Sequence, residues 1–187
     1  MRRAVVTVVA LVALSACHRT PAGGGAFRPM EVGDTAPAYA MADLNGDTVR
    51  IAPGGPVTLV NVWATWCTSC AEEMSDLARM DSSYRNRGLR VIGISVDESS
   101  DLAVERFVAD HHLSFTVLHD PSNVVQDRYS VMAVPTTYLI DSTGRVLWEH
   151  AGNIAGVMEG LRAAADSALT PQDGRERRKE GEREGGS

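Results

Sequence analysis

The chain has 187 residues, 44% hydrophobic and 22% charged, with a formal net charge of −6. That length suits one domain with tails, large enough to fold without a disulfide framework, and three cysteines are too few to build one. Aromatic residues make up 5% and no basic stripe interleaves with them, so nucleic acid is not an expected partner. Glycine shows no Gly-X-Y period, and no internal repeat is present.

Arg2 and Arg3 precede a run of small and apolar residues from Ala4 to Ala16. The run is shorter than the roughly 20 residues of a spanning helix and suits the h-region of a secretory signal. It ends Leu14-Ser15-Ala16-Cys17, which resembles a bacterial lipobox. Residues 1–16 are then a signal peptide. Cys17 becomes the first mature residue, carries lipid on its thiol and amine, and takes no part in redox work. The alternatives are a short uncleaved anchor or an ordinary signal with an incidental cysteine. Loss of Arg2 and Arg3 leaves the mature chain more acidic, so acyl chains rather than charge would attach it to a membrane. The expectation is a protein outside the cytoplasm, lipid-anchored to a bacterial membrane and facing the periplasm where two membranes exist. Residues 17–30, with His18-Arg19-Thr20-Pro21-Ala22-Gly23-Gly24-Gly25-Ala26-Phe27, read as a flexible linker. Residues 170–187 form a tail of balanced charge whose composition cannot bury anything and predicts disorder.

From 31 to 169 the pattern is α/β. Asp43-Leu44-Asn45-Gly46-Asp47 sets Asn-Gly between short runs and predicts a hairpin turn. Val57 to Trp63 is near-continuously apolar and predicts a strand buried on both faces. A helix from Cys67 to Arg87 follows, with Met74, Leu77, Ala78 and Tyr84 inward and Gly88 as its stop. Leu89 to Val96 is a second buried strand. Asp101 to His111 reads as a helix turning Leu102, Val104, Phe107 and Val108 inward. Phe115 to Leu118 is a short strand and Val124 to Tyr129 a short helix. Thr136 to Ile140 and Val146 to His150 flank a Gly144-containing loop as an antiparallel hairpin. An amphipathic helix from Ile154 to Leu169 closes the domain. Parallel strands joined through helices and followed by a hairpin predict a mixed sheet covered on both faces. Trp63 reads as core; His111, His112 and His119 read as surface or loop residues.

Trp66-Cys67-Thr68-Ser69-Cys70 falls where the buried strand ends and the helix begins. Cysteines at i and i+3 on a helix start lie close enough for a disulfide. The positive end of the helix favours a thiolate at Cys67. Cys70, one turn in, is the more covered and suits resolution of a mixed disulfide. Thr68 and Ser69 are neutral and add no charge that opposes a thiolate. Other readings compete. A structural zinc site lacks a second CxxC, and His111, His112, His119 and His150 have no matching spacing. A structural disulfide across so short a loop constrains little. Two unrelated free thiols are the third. A redox pair is the expectation, with neither a metal nor a further cofactor.

The segment Val60-Asn61-Val62-Trp63-Ala64-Thr65-Trp66-Cys67-Thr68-Ser69-Cys70 resembles the active-site region of the thioredoxin superfamily. More narrowly, the chain resembles the membrane-tethered, extracytoplasmic TlpA/ResA-like thiol–disulfide oxidoreductases. The supporting matches are Val32-Gly33-Asp34-Thr35-Ala36-Pro37, the Asp43–Gly46 hairpin turn, Gly93-Ile94-Ser95-Val96-Asp97 and Val134-Pro135-Thr136-Thr137. The likeness spans residues 31–168. It implies a thioredoxin-like fold with an N-terminal hairpin extension and a protein-disulfide reductase working through a Cys67–Cys70 disulfide and dithiol. It also implies that Pro135 is a cis proline facing Cys67 and that Val134 offers its backbone to an extended client. Trp66 would form the exposed rim. Where ordinary thioredoxins carry a buried Asp, this chain has Asn61, which cannot move a proton. Glu73 matches a helix glutamate of the membrane-tethered branch, and i+3 from Cys70 it is the nearest acid able to act as a base; its neighbour Glu72 reads as solvated. The chain departs from the family pattern at Thr68-Ser69 and at Ser75, where proline is frequent.

The implied partners are disulfide-containing exported proteins, apocytochromes c or their maturation factors among them, and a membrane thiol donor that re-reduces the pair. A monomer is expected. The alternatives are net oxidation or isomerisation by the same residues, a peroxiredoxin-like peroxidase, or a copper carrier. Peroxiredoxins place Thr three residues before the reactive Cys, where this chain has Ala64. Copper-carrying relatives separate their cysteines by three residues rather than two.

Overall fold

The computed structural model describes residues 28–170. The signal peptide, Cys17 and nearly all of the linker and of the charged tail lie outside the described residues. Packing begins before residue 31: Met30, the last residue of the expected linker, is buried in the core, and Arg28 pairs with Asp34.

The first two strands, β1 (Tyr39–Ala42) and β2 (Thr48–Ile51), pair antiparallel as a separate two-stranded hairpin. Asp43 holds its turn by accepting from the N–H groups of Asn45 and Asp47, and Gly46 takes the positive φ of 89° that a side chain disfavours. The hairpin is pinned to the domain by side chains. Tyr39 donates its hydroxyl to Asp120 at 3.1 Å, and Arg90 donates to the Arg50 carbonyl at 2.7 Å.

The main sheet has five strands: β3 (Val57–Trp63), β4 (Leu89–Ser95), β5 (Thr116–His119), β6 (Thr136–Ile140) and β7 (Val146–Ala151). Their spatial order is β5-β4-β3-β6-β7. β3, β4 and β5 run parallel, while β6 and β7 add antiparallel. Leu59 through Trp63 are all buried, odd and even residues alike, so both faces of β3 are covered. That removes the alternation of a half-exposed strand and explains the near-continuous apolar run.

The helices are α1 (Thr68–Tyr84), α2 (Asp101–Asp110), α3 (Val124–Tyr129) and α4 (Met158–Leu169). A 3-10 turn, Arg85–Arg87, extends α1 to Gly88, whose φ of 98° ends it. A second, Ile154–Val157, precedes α4. In α2 the inner stripe is Val104 and Phe107, with Val108 half-buried against the core. Leu102, expected to point inward, is exposed: two residues are about 200° of helical rotation, so Leu102 faces away from Val104. His119 also departs from expectation. β5 runs one residue further than its apolar run, and this buried imidazole is held by Asp101 and the Asp97 carbonyl. Among the described residues no helix is long and apolar enough to cross a membrane.

Candidate active site

The strand order sets β3 at the centre of the sheet, and its carboxyl end delivers the chain into α1. Cys67 is the N-cap of α1, in extended backbone, with its sulfur accepting from the Cys70 N–H at 3.2 Å. Cys67 and Cys70 are joined as a disulfide with their Cα atoms 5.2 Å apart. The two sulfur-bearing residues are not equivalent. Cys67 retains 7% exposure while Cys70 has none, so a partner meets Cys67 first. The Ser69 hydroxyl lies 3.4 Å from the Cys67 sulfur. After reduction, a thiolate at Cys67 faces the Cys70 N–H, this hydroxyl and the positive end of α1. Ser69 reads in the sequence only as a neutral spacer; nothing in the CxxC pattern says that its hydroxyl turns back to the sulfur.

The Val134–Pro135 bond is cis, and the Val134 carbonyl oxygen lies 3.7 Å from the Cys67 sulfur. Pro135 is buried and Val134 half-buried. Trp66 stands 70% exposed beside Cys67, whereas Trp63 is fully buried against Phe107. Met132, in the loop before Pro135, is equally exposed. The sequence gives no sign of it, because a single apolar loop residue carries no pattern.

Glu73 is fully buried, and the exposed residue is its neighbour Glu72. The amide of Asn61 donates to Glu73 Oε1 at 2.7 Å and to Thr137 Oγ1 at 2.9 Å. The Ile154 N–H donates to Glu73 Oε2 at 2.9 Å. Burial dominates the charge state of Glu73. It pushes the carboxyl up to about 7, against the opposing pull of the Ile154 and Asn61 bonds, with nearby Asp76 adding to the rise. Asn61 therefore has a task that the sequence does not display: it carries no proton but fixes the acid that can. Thr137 and the Ile154 backbone are likewise invisible in the sequence, since both reach the site through tertiary folding.

The segment Gly152–Ile154 links this acid to the proline loop. Gly152 N–H donates to the Pro135 carbonyl at 2.8 Å, and the Asn153 amide donates to the Ser69 carbonyl at 3.1 Å. Among the described residues no group of three or more His, Cys, Asp or Glu side chains is arranged to hold a metal ion.

A paired CxxC at a helix start, one sulfur reachable and the other covered, with a cis proline across from it, defines a thiol–disulfide oxidoreductase of thioredoxin-like fold. The comparisons with known proteins agree. Residues 32–149 match the AhpC/TSA family. The chain is 34% identical over 124 residues to the thiol-disulfide oxidoreductase ResA of Bacillus thuringiensis subsp. konkukian, covering 66% of this chain and 71% of that protein. It is 31% identical to ResA of Bacillus subtilis, covering 67% of this chain and 70% of that one. Among solved structures, a candidate thiol:disulfide interchange protein DsbE from Chlorobium tepidum matches with a TM-score of 0.69 at 30% identity, covering 75% of this chain and 99% of that chain. The chain belongs to the AhpC/TSA family and to the TlpA/ResA-like thiol–disulfide oxidoreductases of the thioredoxin superfamily.

Proposed function

We propose that this thiol–disulfide oxidoreductase works as a reductase of disulfides in exported proteins. The observation that carries the reading is the asymmetry of the pair: Cys67 keeps 7% exposure, Cys70 is fully buried, and the buried acid Glu73 lies one turn along the same helix. In the forward direction the Cys67 thiolate attacks one sulfur of a client disulfide. A Cys67–client bond forms and the client's other sulfur leaves as a thiolate, which takes a proton from solvent. Cys70 then attacks the Cys67 sulfur, breaks that mixed disulfide and expels the second client thiolate, which also takes a proton from solvent. The client gains two electrons and two protons, and the protein is left as the Cys67–Cys70 disulfide. Glu73 accepts the Cys70 proton in the resolving step. A carboxyl poised at about 7 is matched to that task at neutral pH. A membrane thiol donor returns the two electrons for the next cycle.

Trp66, Val134 and Pro135 form the client-facing edge of the site in this reading. Attachment to the outside of a bacterial membrane, through lipid on Cys17, is supported by Leu14-Ser15-Ala16-Cys17 and the basic start of the chain. The client class to try first is apocytochromes c and their maturation proteins, suggested by the family resemblance. The protein acts as a monomer.

Trapping tests the reading. A Cys70→Ala variant expressed in its native membrane context stalls as mixed disulfides through Cys67, and the trapped partners are expected to be exported proteins. A reduction potential well below that of an oxidising catalyst is expected alongside. Absence of trapped exported proteins, or a strongly oxidising potential, overturns the reductase direction.

A further inference from the structure

Where β3 and β4 end, their ladder stops. The last bond of the pair runs from the Val96 N–H to the Trp63 carbonyl at 2.9 Å. Beyond it β3 must turn into Trp66-Cys67, and no backbone partner is left for the Thr65 N–H in β4. A side chain fills that place. Asp97, 2% exposed, accepts from the Thr65 N–H at 2.9 Å and from the Thr65 hydroxyl at 2.5 Å. It also accepts from the Ser95 hydroxyl at 2.6 Å. The backbone of Asp97 is gripped from the other side, since His119 Nε2 lies 2.8 Å from its carbonyl and His119 Nδ1 lies 2.5 Å from Asp101. A residue held through both its carboxylate and its backbone therefore fixes Thr65, two positions before the reactive sulfur. It also lies along the cleft lined by Trp66, Val96, Asn123 and Gln126.

We infer that Asp97 is a positioning residue for thiol–disulfide exchange with protein clients. By clamping Thr65 it sets the height of Cys67 and the outward pose of Trp66 together, so that a client's polypeptide and its disulfide meet the site at once. The inference rests on Cys67 being the attacking thiol. A small disulfide needs only the sulfur, whereas a protein disulfide needs the sulfur and the rim. Loss of the clamp should therefore slow the second reaction much more than the first, because a small misplacement of reacting groups lowers the rate far more than the missing hydrogen bonds would by themselves.

The test compares two rates in the reduced full chain: reduction of insulin, a protein disulfide, and of 5,5′-dithiobis(2-nitrobenzoate), a small one. For Asp97→Ala the insulin rate should fall about tenfold or more and the small-disulfide rate less than about threefold. Asp97→Asn should return the insulin rate to within about threefold of wild type. The Asn oxygen can accept from the Thr65 N–H and Ser95, while its amide donates to the Thr65 hydroxyl. Thr65→Val, which keeps the backbone bond and removes only the hydroxyl, should move the ratio in the same direction by less. It keeps the inference testable if Asp97→Ala fails to fold. A purely structural Asp97 would lower both rates together with the folded fraction. A ratio unchanged in both variants, or Asp97→Asn behaving as Asp97→Ala, overturns the inference. Cys67→Ser retaining insulin reduction would instead overturn the assignment of the attacking thiol, so the two failures are distinguishable.

Discussion

Two buried carboxylates flank the Cys67–Cys70 pair, and their surroundings differ. Asp97 sits beyond the end of β4 with three donors on its two oxygens, two of them hydroxyls. Glu73 sits inside α1 with two N–H donors, one from the Asn61 amide and one from the Ile154 backbone. In Glu73 burial outweighs those bonds and the group titrates near neutrality. In Asp97 the bonds organise a turn. Burial alone does not give an acid its task. Position and partners differ: Asp97 ties the turn before Cys67 together, and Glu73 stands one turn beyond Cys70 on α1.

The largest effect should come from erasing the asymmetry on the Glu73 side. Asn61→Asp replaces the amide donor, 2.7 Å from Glu73, with a second carboxyl group. Two carboxylates at that separation cannot both ionise, so the pair should titrate in two separated steps. The upper step should lie above the midpoint of wild-type Glu73. Stability should fall by about 3 kcal/mol or more as pH rises past it. Urea denaturation of the oxidised form across pH would measure this. A pH profile superimposable on wild type would break the account of Asn61 as the donor that fixes Glu73.

Glu73→Gln is next. The folded-state pKa of Glu73 lies above its unfolded value, so the folded state binds the proton more tightly than the unfolded chain does. Its contribution is fully present below the usual carboxylate range and is lost as pH rises through about 7. Each pKa unit is worth about 1.4 kcal/mol, so wild type should lose up to about 3 kcal/mol across that window. The Gln variant should lose none of it. The resolving step, followed by release of the second client thiol in single-turnover mixing, should slow about 100-fold at neutral pH. If both the stability slope and the resolving rate are unchanged, Glu73 is not the base.

Ser95→Ala probes the Asp97 side, removing one of its three donors. A cost of about 1 kcal/mol in stability is expected, with no displacement of the Glu73 midpoint. A shifted midpoint would show that the two acids are coupled rather than independent. The smallest effect belongs to Glu72→Gln. Glu72 is exposed and only touches Asn153 at 3.4 Å, so stability and resolving rate should stay within about 0.5 kcal/mol of wild type.

Much of this arrangement is legible in the chain. β3 and β4 are buried on both faces, so their residues are mostly apolar, and the run Val57–Trp63 matches its strand end to end. Gly88 marks the end of the first helix because glycine takes that backbone conformation without strain. Trp66-Cys67-Thr68-Ser69-Cys70 at a strand-to-helix junction announces its chemistry because the reaction needs two thiols at that spacing. Leu102 misleads, because one apolar residue on a short helix does not define its inward face. His119 misleads because a strand can continue through a polar residue whose partners arrive from elsewhere.

The α/β order, the redox pair and the acid three residues beyond Cys70 are legible in the chain, since periodicity and short spacing are local properties. The sequence could not determine what faces that acid or that pair. Asn61, Thr137 and Ile154 converge on the Glu73 site from three separate segments. Asp97 reaches Thr65 across a gap of 32 residues. Those arrangements exist only once parallel β3 and β4 set their carboxyl ends side by side and β6 brings Pro135 across from Cys67. Hydrogen bonds and burial act through space, so the tertiary structure alone decided that Glu73 titrates near neutrality and that Asp97 is clamped.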